Sequence, residues 1–207
     1  MKKFVLDTNL FFNMEAGLDL GTKTEEVVRV LTSSMKAYKK DGAGEFYTPP
    51  RVVEEFLSFF EDTSQQFIRD FLSQLIIKAP HVNDMQVAGA VIYQLVDEIR
   101  TRSYRGIGIA EEEINKAGKL VTGKPELSKK DFEMTIGPVV KNFRERYRQA
   151  TRFGFIDSLA DLDLIMLAKE VDGVLISADA GVIRWGRIFG VQEMPLDVFG
   201  GIMKEFA

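Results

Sequence analysis

The chain of 207 residues contains no cysteine and only one histidine, His81. Without thiols it can form neither disulfides nor a cysteine-ligated zinc site, and this composition is typical of proteins from a reducing compartment. A single imidazole excludes a multi-histidine metal site and argues against a serine-histidine triad as the main chemistry. Catalysis, if the chain is an enzyme, is therefore expected to depend on carboxylates.

Long apolar runs are also missing. No stretch of about 18 uninterrupted apolar residues occurs, so no membrane-spanning helix is expected. The short apolar segment after Met1 is interrupted by Asp7 and is followed by no small-residue cleavage site, so we do not expect a signal peptide. The net charge of -4 argues against a uniformly basic surface, and any nucleic-acid binding would need a local basic patch. We predict a soluble cytoplasmic protein.

Hydrophobic residues make up 45% of the chain and charged residues 28%, which is typical of a folded domain. Near both ends of the chain, short apolar runs alternate with segments of helical periodicity, and the first helix opens with capping-box spacing at Thr22. This alternation predicts an α/β fold, with a parallel sheet covered by helices on both faces. The predicted strands are residues 2–6, 45–48, 173–177 and 191–194, and predicted helices include residues 65–77, 158–170 and 181–189.

The middle of the chain, residues 84–151, shows no strand pattern, and its apolar residues recur at helical spacing. A break at residues 104–108 divides the first part into two predicted helices, and a third runs from about residue 128 to 151 with a bend at Pro138. We interpret residues 1–83 and 152–207 as one α/β domain and residues 84–151 as a helical insertion.

Carboxylates follow two of the predicted strands at their carboxyl ends, where ligands gather in parallel α/β sheets. These are Asp7 and Asp179. Asp157 and Asp161 are four residues apart at the start of a predicted helix and therefore share one of its faces. Converging carboxylates raise one another's pKa unless a cation is present, and Mg²⁺ and Mn²⁺ prefer carboxylate oxygens. We therefore predict a metal site formed by all four aspartates.

Each of these residues also has a structural interpretation. Asp157 or Asp179 would serve equally as the N-cap of the helix that follows, and Asp7 as an Asx-turn residue. Two further acids are weaker members of the catalytic set. Asp163 points away from the preceding acid on an ideal helix and is either a supporting residue or solvated, and Glu55 borders an apolar helix face and is either a fifth acid or solvated.

Several of these motifs resemble those of the PIN-domain nucleases: residues 4–9 (FVLDTN), Glu55 on a mid-chain helix, Asp161 before an apolar helix, and residues 177–179 (SAD). With residues 46–51 (FYTPPR), the helical insertion and residues 151–163 (TRFGFIDSLADLD), most of the chain resembles the small protein-only ribonuclease P family of the Aquifex type, whose archaeal members are also labelled RNA ligase partner proteins.

This resemblance implies a PIN-like fold that removes the 5′ leader of precursor tRNA in a metal-dependent reaction. It also implies larger assemblies of the chain. The family's active-centre aspartates match Asp7, Asp157, Asp161 and Asp179. We therefore predict a Mg²⁺- or Mn²⁺-dependent endoribonuclease.

A basic face is predicted near the end of the insertion. Four cations of residues 139–152 fall in one narrow helical arc, while the apolar residues fall on another side. They are Lys141, Arg144, Arg148 and Arg152. Because guanidinium groups match phosphate oxygens, we predict that this face binds RNA; the alternative is a solvated helix face, as most charge runs are.

Self-association is predicted through the same insertion. Ala88, Ile92, Leu95 and Ile99 repeat at a spacing suited to a helix-helix seam, and a large exposed apolar patch normally marks a partner surface. The alternative is that these residues pack within the chain.

Other functions remain open at the level of the sequence. A toxin-type or rRNA-processing PIN endoribonuclease usually lacks the long insertion. A non-catalytic RNA-binding scaffold would have no reason to keep four repelling aspartates. A phosphatase or phosphoacceptor would fit aspartates at strand ends, but no glycine-rich phosphate loop accompanies them.

Overall fold

A computed structural model describes residues 1–12, 18–21, 23–156 and 158–207. The chain forms two compact units. The first consists of Met1–Val87 and Ile156–Ala207, and the second of Ala88–Phe155. The insertion predicted over residues 84–151 covers most of the second unit.

The first unit contains a five-stranded sheet. Its strands are β1 (Lys2–Leu6), β2 (Gly44–Thr48), β3 (Leu75–Ile77), β4 (Val174–Ile176) and β5 (Gln192–Glu193). All neighbouring strands pair in parallel, in the order β3-β2-β1-β4-β5. The central strand β1 is completely buried at Phe4, Val5 and Leu6, as expected for an apolar strand covered on both faces. The predicted α/β fold with a parallel sheet is confirmed.

The helices of the described residues have the following bounds: α1 (Thr24–Lys40), α2 (Pro50–Ser58), α3 (Gln66–Leu72), α4 (Gly89–Val121), α5 (Lys129–Arg152), α6 (Leu159–Val171), α7 (Ala180–Ile188) and α8 (Leu196–Lys204). Pro50 occupies the first position of α2, where its missing N–H and fixed φ fit the helix. Thr22, which the sequence predicts to cap α1, lies outside the described residues, and the N-cap position of the helix is Lys23, so the predicted cap is wrong.

The helix predicted over residues 65–77 is wrong in its second half. Helix α3 ends at Leu72, and residues 75–77 form β3 beside β2. A run of only three apolar residues carries no periodicity that separates a strand from a helix, although two isoleucines favour the strand. Helix α8 was not predicted either.

Aromatic rings fill much of the core of the first unit. Phe4 stacks on Phe46 with ring centroids 5.6 Å apart and meets Phe199 edge-on at 5.4 Å, and Phe11 meets Phe71 at 4.9 Å. Such ring pairs bury large apolar areas in defined orientations. They hold β1 and the 3₁₀ turn after it in a fixed position.

The second unit is a hairpin of two long helices, α4 and α5. The break predicted at residues 104–108 is wrong, because α4 runs without interruption from Gly89 to Val121. Gly106 lies at a close approach of the two helices: a Cβ there would lie 2.8 Å from the Tyr147 ring. The glycine therefore serves helix packing rather than chain reversal. Pro138 lies inside α5.

Charged groups link the two helices of the hairpin. Glu113 is buried, and its Oε1 accepts hydrogen bonds from Arg146 at 2.6 Å and Asn142 at 2.8 Å across the hairpin. Arg102 is buried as well and donates to the Phe153 carbonyl at 3.0 Å. Within the described ranges, no helix combines the length and apolar character needed to cross a membrane.

Candidate active site

The sheet has its switch point between β1 and β4. Strands β2 and β3 lie on one side of β1, and β4 and β5 lie on the other. In open parallel sheets, ligands bind at the carboxyl ends of the strands beside such a point. Asp7 follows β1, and its backbone N–H donates to the Ile176 carbonyl of β4 at 2.9 Å. The two strand ends that carry Asp7 and Asp179 therefore lie side by side.

Asp7 is a buried carboxyl group with two neutral donors. Its side chain accepts a hydrogen bond from the Ser177 hydroxyl at 2.5 Å and one from the Asn9 N–H at 3.1 Å. Burial raises the pKa of Asp7 to about 6; the two hydrogen bonds oppose the rise, and the charges of Asp161 and Asp179 add to it. The Asx-type hydrogen bond to Asn9 is thus present alongside electrostatic contact with two other acids.

Ser177 connects the acids of the two strand ends. Its buried hydroxyl donates to Asp7 and accepts a hydrogen bond from the Asp179 N–H at 3.0 Å. The sequence prediction did not include Ser177 among the functional residues. The available signal was a hydroxyl residue at the end of an apolar strand, two residues before an aspartate.

Asp179 caps α7 from an exposed position. Its Oδ1 accepts hydrogen bonds from the N–H groups of Gly181 at 2.6 Å and Val182 at 2.9 Å. The capping interpretation is therefore correct for Asp179. Capping and a functional role are compatible, because these bonds use Oδ1 alone and because the charge of Asp179 acts on Asp7.

Asp161 lies in the first turn of α6, half-buried. The cap of this helix is Ser158, whose hydroxyl accepts a hydrogen bond from the Asp161 N–H at 3.0 Å. The Asp161 charge raises the pKa of Asp7 and also that of Glu55, for which partial burial is the larger cause. Glu55 itself is exposed on α2. The structure thus brings Asp7, Asp161, Asp179 and Glu55 into one electrostatic cluster.

Asp157, the fourth predicted aspartate, lies outside the described residues. Among the residues that are described, no three acidic or histidine side chains are arranged so that they could hold a metal ion. The chemistry of the cluster nevertheless fits a hard divalent cation. A buried carboxylate that is repelled by two others is stabilised by such a cation, and all the donors are oxygens.

Asp163 is buried and paired with Arg51. Its Oδ2 lies 2.6 Å from Arg51 Nη1, and Arg51 is the second residue of α2. The interpretation of Asp163 as a solvated residue is wrong, because the residue is only 7% exposed. The sequence prediction missed Arg51, although this residue is the last of the FYTPPR motif, which starts in β2 and continues into α2.

The predicted basic face lies along α5 in the second unit. Lys141, Arg144, Arg148 and Arg152 are all exposed, and Arg148 makes one long ion pair at 3.3 Å with Glu145. Arg146, the other cation of this stretch, instead pairs with Glu112 and Glu113 of α4. The four predicted phosphate-binding cations therefore do not include Arg146, the cation that joins α5 to α4.

Comparisons with known proteins cover both units. Residues 3–207 match the family described as PINc domain ribonuclease. The chain is 32% identical over 206 residues to a protein of Pyrococcus horikoshii named RNA-free ribonuclease P, a match that covers 99% of this chain and 93% of that relative. Proteins of the same name are 31% identical over 205 residues in Pyrococcus furiosus (99% and 94% covered) and 32% identical over 208 aligned positions in Halorhodospira halophila (100% and 92% covered).

Proposed function

Because the chain belongs to the RNA-free ribonuclease P family of PINc-domain ribonucleases, we propose that it removes the 5′ leader of precursor tRNA with the help of Mg²⁺ or Mn²⁺. It is an endoribonuclease of the protein-only ribonuclease P type. The observation that carries the proposal is the buried Asp7 carboxyl at the switch point of the sheet, with the charges of Asp161 and Asp179 beside it.

We propose that Asp7, Asp161 and Asp179 bind the cation, which would have to draw them together, because the described side chains are not arranged as a metal site. Asp157 is proposed to hold a second cation or to orient the attacking water. A divalent cation bound by these carboxylates would lower the pKa of a coordinated water and offset charge on the scissile phosphate. Attack of water on the scissile phosphorus, with cleavage of its bond to the 3′ oxygen of the leader, would leave a 5′-phosphate on the tRNA and a 3′-hydroxyl on the leader.

The protein keeps these carboxylates in place before the substrate binds. Ser177 holds Asp7 by one oxygen, and the first turn of α7 holds Asp179 by Oδ1. Fixed ligands lose little freedom on binding, so the surrounding hydrogen bonds contribute to affinity and rate. Glu55 and Asp163 remain weaker members of the proposed site; Asp163 acts there through Arg51 rather than as a ligand.

We assign the tRNA body to the basic face of α5. Its four exposed cations can contact phosphates in a protein whose net charge is -4. We also propose self-association through α4, since Ile92 and Ile99 of the predicted seam are 52% and 51% exposed. In an oligomer, one subunit can hold the tRNA while the aspartates of another subunit cut it.

The alternatives are less well supported. A toxin-type or rRNA-processing nuclease would not account for similarity that extends through the helical hairpin. A non-catalytic scaffold would gain nothing from the repulsion around Asp7. The cytoplasmic location expected from the sequence stays a prediction.

A cleavage assay tests the proposal. Precursor tRNA with a labelled leader is incubated with the protein in Mg²⁺, in Mn²⁺ and in EDTA, and the product ends are mapped. We expect one cut at the mature 5′ end with either cation and none in EDTA. Binding without cleavage would support the scaffold, and scattered cuts in an unstructured control RNA would support a toxin-type nuclease.

A further inference from the structure

We propose that Arg51 binds a phosphate of the RNA chain at the cleavage site and that Asp163 positions it to do so. The proposal rests on the ribonuclease function above. Arg51 Nη1 lies 2.6 Å from Asp163 Oδ2, yet 53% of the arginine side chain is exposed, against 10% for the aspartate side chain. The guanidinium is thus anchored from the protein side and open towards solvent.

The position of Arg51 places it at the edge of the sheet that carries the acids. Strand β2 runs parallel to β1 with Val5 opposite Tyr47, so the residues that follow the two strands emerge at the same edge. The Thr48 hydroxyl donates to the Leu6 carbonyl at 3.1 Å, in the last residues of these strands. Arg51 therefore lies in the first turn of α2, beside the turn that follows Asp7.

Asp163, the partner of Arg51, lies on α6, the helix that also carries Asp161. Asp163 lies two residues beyond Asp161 on α6, and α6 packs against α2, the helix of Arg51. The ion pair thus connects the segment after β2 with the helix that presents Asp161. It holds the positive charge of Arg51 against α6 at a residue two positions from Asp161.

A phosphate ligand follows from the charges. Carboxylates repel a phosphodiester, so a site built from them needs a cationic group that holds the RNA chain. A guanidinium has five N–H donors in a planar fork that matches two phosphate oxygens. The ion pair with Asp163 uses Nη1, and the exposed remainder of the fork is available to an incoming phosphate.

The ion pair of Arg187 serves as a comparison for that of Arg51. Arg187 pairs with Glu193, and the two side chains are 66% and 23% exposed. Arg187 lies near the end of α7, whereas Asp179 caps the start of that helix. This arginine makes a surface ion pair away from the acids and provides a matched control.

The test compares Arg51→Ala, Arg51→Lys and Arg187→Ala with the parent protein. Binding of precursor tRNA is measured against salt concentration in EDTA, and single-turnover cleavage is measured in Mg²⁺. Loss of one phosphate contact lowers the logarithmic salt slope by about 0.7 to 0.9. We expect this loss for Arg51→Ala, together with a cleavage rate at least about tenfold lower, the equivalent of 1.36 kcal/mol. Arg51→Lys should restore the slope but not the rate, because lysine keeps the charge and lacks the fork.

A double variant separates phosphate binding from folding. Arg51→Ala leaves Asp163 buried without its partner, whereas Arg51→Ala with Asp163→Asn removes that charge as well. The double variant should melt near the parent temperature and retain both defects of Arg51→Ala. Asp163→Asn alone should slow cleavage in the parent but not in the Arg51→Ala background, which a merely structural aspartate would not do.

The outcomes are distinct. If the double variant has the slope and rate of Arg187→Ala, the proposal for Arg51 is overturned. If the parent protein binds precursor tRNA but does not cut it, the proposed function fails. The slope difference in EDTA then still decides whether Arg51 contacts a phosphate.

Discussion

The sheet unit and the helical hairpin bury different kinds of residue. In the first unit the core is apolar and rich in phenylalanine, and three aspartates, Asp7, Asp161 and Asp179, interact electrostatically at one edge of the sheet. In the hairpin, two of the four buried residues of α4 are the charged Arg102 and Glu113, and α5 buries none of its residues. Large apolar side chains of α4, such as Ile92 and Ile114, are exposed instead.

This difference indicates how the two units divide the work. Because ion pairs join the two helices, several apolar side chains of α4 stay exposed, which fits the proposed self-association. In the hairpin, the hydrogen bond from Lys116, supported by Arg146 and Asn142, lowers the pKa of Glu113 to about 2 against the effect of burial. The hairpin therefore depends on a charged group for its own cohesion, whereas the sheet unit has its interacting aspartates at the proposed active site.

Among the substitutions in the sheet unit, Asp161→Asn is expected to reduce cleavage the most. The substitution removes a charge and almost no volume, so we expect cleavage of precursor tRNA in Mg²⁺ to fall on the order of 10²- to 10³-fold with the fold intact. Asp172→Asn is the control, because Asp172 ends the same helix with a left-handed backbone that asparagine also accepts. Equal cleavage rates for the two variants would show that Asp161 does not belong to the active site.

Asp7→Asn should separate stability from activity. The pKa of Asp7 is raised from 3.8 to about 6, so its carboxylate form destabilises the fold; the penalty grows as the pH rises from 3.8 and is complete above about 6. We expect Asp7→Asn in EDTA at pH 7 to be more stable by up to about 3 kcal/mol and inactive in Mg²⁺.

Urea denaturation at pH 7 and at pH 3.5 checks this prediction. The gain in the free energy of unfolding should be largest at pH 7 and should nearly disappear at pH 3.5, where the parent carboxyl is mostly protonated in both states. Asp41→Asn, at the exposed end of α1, is the control. A gain that is the same at both pH values would contradict the assignment to the Asp7 carboxylate.

In the hairpin, Ile92→Glu with Leu95→Glu should disrupt self-association. Charges placed on this seam cannot be buried between subunits, so we expect the mass measured by light scattering to fall to that of a single chain. The control is Val198→Glu, an exposed apolar residue of α8 in the other unit. A monomeric parent protein, or a double variant of unchanged mass, would show that α4 is not the contact surface.

Arg144→Ala with Arg148→Ala should produce the smallest effect. Each lost phosphate contact lowers the logarithmic salt slope of RNA binding by about 0.7 to 0.9, and the hairpin should stay folded because both side chains are exposed. Lys36→Ala with Lys40→Ala removes two exposed cations at the same spacing on α1 and should leave the slope unchanged. Equal slopes in both pairs of variants would leave α5 as an ordinary solvated face.

The predictable parts of the molecule are those that local patterns determine. Strands β1 and β4 each follow from an apolar run that ends at polar residues, and Asp7 and Asp179 stand after those two ends. Strand β3 is too short to carry a period. The sequence does not show that α4 is continuous. Gly106 looks like a helix break there, whereas in the fold it makes room for the Tyr147 ring of another helix.

The supporting residues of the site were missed for a related reason. Ser177 and Asp7 are 170 residues apart in the sequence, and Arg51 and Asp163 are 112 apart. A hydroxyl or a guanidinium next to an apolar segment has no visible function until the fold brings its partner close. Carboxylates at strand ends differ in this respect, because parallel strands always present those ends together.

The distance in sequence between Asp7 and Ser177 also has a consequence for protein synthesis. Strand β1 leaves the ribosome early, but its neighbour β4 follows only after the whole hairpin has been made. Helices α4 and α5 make contacts that are closer in sequence and can form sooner. A growing chain therefore contains Asp7 before Ser177 and Asp179 have been made, and the acidic edge of the sheet can form only near the end of synthesis.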